Sequence, residues 1–222
     1  PGEKLYEELL VKEEGIQTKL NCSLTPDNAG DLERIVNYAK ERGMILEVAT
    51  YMFPPLRKNP ASIGKNERFT PEEAAYWMMY RYRLQYGAER YDRFLEGIST
   101  GMTEPANMGE GCYDPVEGRV RCRAGSTSFW ATWDGYLLPC GMMTGPKVDM
   151  RDKEFKEAWQ ELKQVTQKIR LSSVCEQCKN QGICHACAAM ALAENGEFGK
   201  VPAYLCEMML EMKRIAVDSI KI

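Results

Sequence analysis

Cysteine spacing constrains this chain more than any other feature. The C-terminal half reads Cys175-Glu176-Gln177-Cys178, five residues, Cys184-His185-Ala186-Cys187, and then Cys206, after a first group of Cys112, Cys122 and Cys140. Eight thiols within residues 112–222, with the chain's single histidine among them, form a ligand set. That half is expected to fold around metal. A disulfide framework is the weaker reading. Nine cysteines in all would strand one, and 44% hydrophobic residues over 222 positions suffice for a core without covalent staples.

Other bulk properties narrow the class. A net charge of −3 gives no electrostatic case for nucleic acid, which favours a basic patch. No segment approaches the ~20 consecutive apolar residues that span a bilayer, so no membrane partner is expected. The opening Pro1-Gly2-Glu3-Lys4 has no initiator Met, charged n-region or apolar h-region. A cytoplasmic location is therefore expected, and the chain reads as the C-terminal part of a longer protein.

Three regions follow from the patterning. Residues 1–57 alternate helix and strand: a helix from Glu3 to Glu14, a strand from Ile16 to Leu24, a helix carrying Leu32, Ile35, Val36 and Ala39, and a strand from Met44 to Phe53. Gly43 sits where a left-handed helix cap belongs. Strand, helix and strand with short turns make a right-handed βαβ unit, hence parallel pairing within a larger α/β sheet or barrel. Residues 58–111 form a helical linker. Thr70, Pro71 and Glu73 spell a capping box that opens a helix to about Gly87. Its stripe of Tyr76, Trp77, Tyr80 and Leu84 reads as core packing, with a substrate wall as the alternative. A second helix spans about Ala88 to Ile98, before a Gly/Thr/Pro-rich loop from Ser99 to Gly111.

Residues 112–222 form a small α+β, Cys-rich domain. Aromatic and apolar residues flank Asp134-Gly135, a strong hairpin signal that brings Cys122 near Cys140. An amphipathic helix over Asp152–Arg170 turns Phe155, Trp159, Leu162, Val165 and Ile169 inward. The last helix, about Pro202 to Ile220, carries Cys206 in its first turns.

A thiolate set with almost no imidazole or carboxylate favours zinc or iron–sulfur. A zinc ribbon separates its two Cys-x2-Cys knuckles by ~15–20 residues, whereas Cys178 and Cys184 have five between them. One four-thiolate zinc site on Cys175, Cys178, Cys184 and Cys187 would leave Cys112, Cys122, Cys140 and Cys206 unused. Eight thiols divide more naturally into two four-thiolate clusters, and in ferredoxins the last Cys of a compact run ligates the other cluster.

Cys122, twelve residues, Gly135, four residues, Cys140, then Cys-x2-Cys-x5-Cys-x2-Cys and Cys206 resembles the SPASM domain. That domain is the auxiliary-cluster extension of radical S-adenosylmethionine (SAM) enzymes, many of which modify peptides and proteins. The resemblance covers about Cys112 to Met212, and the preceding βαβ piece is similar to the last strands of a radical SAM partial barrel. It implies two [4Fe-4S] clusters, the first held by Cys112, Cys122, Cys140 and Cys187, the second by Cys175, Cys178, Cys184 and Cys206. There are departures. The family usually has three residues between the last two cysteines of the run, and two here would turn Cys187 by ~100° on a helix. Cys112 lies outside the seven-cysteine core. His185 reads as a neighbour of the ligands, with ligation as the alternative, and Cys22 as a small buried hydrophobe.

The Cys-x3-Cys-x2-Cys loop of radical SAM chemistry does not occur in these 222 residues, so SAM and a third [4Fe-4S] cluster are expected only in a full-length enzyme. The expected partners are a peptide or protein substrate and a reductant or electron-transfer protein. Sulfatase-maturing relatives carry an acidic residue just after the position of Cys140, where this chain has Gly141, which favours another peptide modification. Arg57, Asn28 and Asp31 fall near the strand ends where a barrel active site lies, and equally suit loop and cap positions. Catalytic residues are not identified. A zinc-stabilised module presenting the aromatic helix to a protein partner, and a stand-alone electron carrier, are the alternatives.

Overall fold

Alternation of half-buried and exposed residues sets the first strands. β1 (Lys19–Ser23) pairs in parallel with β2 (Ile45–Ala49), Leu20 opposite Leu46 and Cys22 opposite Val48, so the less exposed side chains share one face. The computed structural model describes residues 15, 18–56, 59–101, 122–184 and 186–220. The expected helix over Glu3–Glu14, residues Ile16, Arg57, Cys112 and His185, and most of the Ser99–Gly111 loop lie outside them. The described residues form two compact units, one from residues up to Met52 with Arg68–Arg93, the other from Phe53–Glu67 with Phe94 onward.

In the first unit, α1 (Leu32–Glu41) connects the two strands and buries Leu32, Val36 and Ala39. It ends at Gly43, whose φ of 60° is the left-handed conformation a helix stop favours. α2 (Pro71–Gln85) opens with the full capping box: the Thr70 N–H donates to Glu73 Oε2 (2.9 Å) and the Glu73 N–H to Thr70 Oγ1 (3.2 Å). Arg81 and Gln85 of α2 donate to the carbonyls of Val48 (2.7 Å) and Leu46 (2.9 Å). Side chains thus take the place of a further strand along the outer edge of β2.

The aromatic stripe of α2 departs from the core-packing expectation. Ala74, Ala75 and Met79 are the buried residues, while Tyr76 is 53% exposed and Trp77, Tyr80 and Leu84 are half-buried. The Tyr76 and Tyr80 rings stack, Trp77 meets both edge-on, and the Tyr80 hydroxyl donates to Glu33. Alanines let this helix approach its neighbours closely, which leaves the bulky rings outside the contact.

α3 (Ala88–Thr100) leads into the second unit. There β3 (Trp130–Ala131), β4 (Tyr136–Leu138) and β5 (Val148–Asp149) form an antiparallel sheet, with Ala131 opposite Leu137 and Leu137 opposite Val148. α4 (Phe155–Thr166) covers it. Leu137, Val148, Ala158 and Leu162 form the cluster between, with Met150, Trp159 and Val165 against it. Each fully buried leucine there contributes about 1.5–3 kcal/mol. Phe155, expected to face inward, is instead 51% exposed and meets the Phe129 ring at 5.3 Å. α5 (Ser173–Glu176), α6 (Ala188–Asn195) and α7 (Ala203–Ile220) complete the unit. Among the described residues, no helix is long and apolar enough to cross a membrane.

Candidate metal centre

Cys122 enters a turn closed by three N–H groups, those of Ser126, Thr127 and Ser128, on the Arg123 carbonyl. Within it Gly125 has φ 66°, and a Cβ there would come within 2.2 Å of Thr166 Oγ1. Only glycine allows this turn to sit on the end of α4. The β3–β4 hairpin then carries the chain back to Cys140, whose sulfur accepts the Met142 N–H (3.4 Å). Trp130 lies against Gly141 so closely that a Cβ at 141 would be 2.9 Å from its ring. An indole therefore occupies the space beside Cys140 that a side chain at 141 would need.

Cys140 and Cys187 pack on one apolar cluster of Met143, Ile169, Ala188 and Ala189. Cys187 is the N-cap of α6, in an extended conformation (φ −129°, ψ 172°). The ~100° rotation argued for a helical Cys184–Cys187 segment does not arise, because α6 begins only at Ala188. Burial pushes the Cys187 thiol up; the N–H groups of Met190 and Ala189 pull the other way, and the nearby Cys122 and Cys140 sulfurs add to the rise.

The second group is local. Cys175 lies on α5 and Cys178 just beyond its end, Cys184 follows a tight turn, and Cys206 sits in the first turn of α7. Burial raises the Cys206 thiol, and the sulfurs of Cys184, Cys175 and Cys178 raise it further. All four line one cavity of about 60 Å³, together with Cys187, Gln181, Leu171, Phe198 and Lys200. One water needs roughly 10–15 Å³, so the space exceeds that of a single small ion. The Ala186 N–H points to the Cys184 sulfur at 3.5 Å.

No disulfide joins any of the described cysteines. Among the described residues, no three His, Cys, Asp or Glu side chains converge into a group that could hold a metal ion. A tetrahedral zinc site, with zinc–sulfur bonds of ~2.3 Å, draws its sulfurs to roughly 3.8 Å from one another. These thiols instead stand around a space.

Other expected residues fall elsewhere. Asn28 accepts the Thr25 N–H (2.8 Å) and donates to the Ser23 carbonyl (3.0 Å), and Asp31 pairs with Arg34 at 3.1 Å, so both make local contacts at the loop before α1, without a side-chain capping bond. Cys22 is on β1, its thiol raised by burial. The cavity residues Gln181, Leu171, Phe198 and Lys200 were not expected; the only sequence signal was the position of Gln181 inside the five-residue interval between Cys178 and Cys184.

No family model matches the chain, and no curated protein or solved structure matches it.

Proposed function

We propose that this chain is the auxiliary-cluster portion of a radical SAM enzyme that modifies a peptide or protein, with two [4Fe-4S] clusters in its C-terminal half. The observation that carries the reading is the gathering of thiols: Cys175, Cys178, Cys184, Cys187 and Cys206 line one cavity, and Cys140 packs with Cys187 on one apolar cluster. The cysteines lining the cavity are a soft, thiol-only donor set, which suits iron–sulfur or zinc, and eight thiols in the sequence divide more naturally into two four-thiolate clusters. Cys175, Cys178, Cys184 and Cys206 would hold one cluster; Cys122, Cys140 and Cys187, with Cys112, would hold the other.

Such clusters supply one-electron acceptance beside the substrate. The chain's own part is to orient the thiols, limit water, and set the potential. The N–H groups of Met142 and Ala186 donate to the Cys140 and Cys184 sulfurs, which stabilises negative charge there. Glycine at 141 offers no base beside Cys140, which favours a modification other than sulfatase maturation. The partners under this reading are the peptide substrate and a reductant, in a cytoplasm that keeps thiols reduced. SAM and its own cluster belong to residues outside this chain.

The test is an electron count. The anaerobically reconstituted chain should accept about two electrons, each giving a paramagnetic cluster signal; no electron uptake refutes the reading. A second reading, a zinc-stabilised interaction module, is favoured by the half-exposed rings of Tyr76, Trp77 and Tyr80 on α2. It predicts tight zinc binding and no redox activity.

A further inference from the structure

We propose that Gln181 is the positioning residue of the Cys175, Cys178, Cys184 and Cys206 group, an inference that rests on the metal-cluster reading above. α5 ends at Glu176, where the Cys175 carbonyl accepts the Gln177 N–H and, at 3.4 Å, the Cys178 N–H. The Gln181 side chain adds a clasp to this end: Nε2 donates to the Cys175 carbonyl at 2.6 Å and to the Glu176 carbonyl. Both partners are acceptors, so the amide has a single workable orientation.

The backbone of the same residue binds the other two loop cysteines. Its N–H donates to the Cys178 carbonyl (3.1 Å), and its carbonyl accepts the Cys184 N–H (3.3 Å). One residue thus ties the main chain at three thiols while lining the cavity they share. The adjacent Asn180 completes the frame. Its carbonyl accepts the Cys184 N–H at 3.0 Å, and its Oδ1 accepts Lys213 Nζ at 3.3 Å, from the helix that carries Cys206. Any residue at 181 except proline would keep the backbone bonds. The side-chain clasp on α5 is what glutamine adds, and it keeps Cys175 at a fixed distance from Cys184 before any metal arrives.

The expected consequence is a slower loss of metal. Outer partners of this kind typically alter metal affinity ~10–100-fold. The experiment compares wild type, Gln181→Ala and Gln181→Glu after anaerobic reconstitution, with iron release to a chelator followed by the paramagnetic signal of each cluster. Gln181→Glu keeps the size of the side chain but replaces the donor with a second acceptor. Both variants should lose one cluster about 10–100-fold faster than wild type. The other cluster's signal and the circular dichroism and melting of the metal-free chain should be unchanged. Equal release from wild type and both variants overturns the role of Gln181 alone. A wild-type chain that takes up no iron and sulfide overturns the cluster reading beneath it.

Discussion

Cys175, Cys178 and Cys184 come from α5 and the loop after it and Cys206 from the start of α7, whereas Cys122, Cys140 and Cys187 are drawn from a turn, the exit of a hairpin and a helix cap. The local group is held by hydrogen bonds among its own neighbours, chiefly those of Gln181. Under the proposed reading, the dispersed group depends on tertiary packing: the sheet must seat on α4 and the hairpin exit on α6 before its thiols can share a cluster. A local site can preform at little cost in loop closure, while a site assembled across ~65 residues inherits the stability of everything between its ligands.

Cysteine replacement breaks the comparison most sharply. Cys178→Ala with Cys206→Ala should halve the iron held after reconstitution and leave the signal of the dispersed group, whereas Cys140→Ala with Cys187→Ala should do the reverse; iron analysis with paramagnetic resonance reads both. Loss of all iron from either pair would contradict two separate sites. Next in size is Leu162→Ala, which opens a cavity under β4 and should cost about 2–5 kcal/mol in denaturant unfolding. Its iron loss should fall on the dispersed group first. Gly125→Ala should cost about 1–3 kcal/mol through overlap with Thr166, again with the local group spared.

The smallest effect is electrostatic. Hydrogen bonds from the Arg151 side chain (2.9 Å to Oδ1) and backbone hold the Asp149 carboxyl down to about 2. A depressed carboxyl stabilises the fold above its unfolded value of ~3.9, and that contribution disappears as pH falls toward about 2. Titration of the Asp149 carboxyl by nuclear magnetic resonance should show this, and Arg151→Ala should return it toward the ordinary value.

Much of this was legible before any coordinates. The capping box at Thr70, the glycine stop at 43 and the Asp-Gly hairpin are local signals, and local hydrogen bonding reproduces them. The assignment of Cys187 to the group of Cys122 and Cys140 comes from resemblance rather than spacing, because separation along a chain does not say which thiols share a space, and Cys187 also lines the cavity of the other four. Periodicity on α2 marked a stripe of rings without telling which face meets the core, and small alanines won the contact. The rotation assigned to Cys187 failed because it presumed a helix where the backbone is extended. Gln181 had no pattern to betray it: a side chain reaching back five and six residues to carbonyls leaves no periodic trace.

The central claim, two clusters on eight thiols, is tested most directly by counting iron, acid-labile sulfide and zinc per chain after anaerobic purification and reconstitution. The account predicts about eight iron and about eight sulfide, with little zinc. One or two zinc per chain with no sulfide would contradict it.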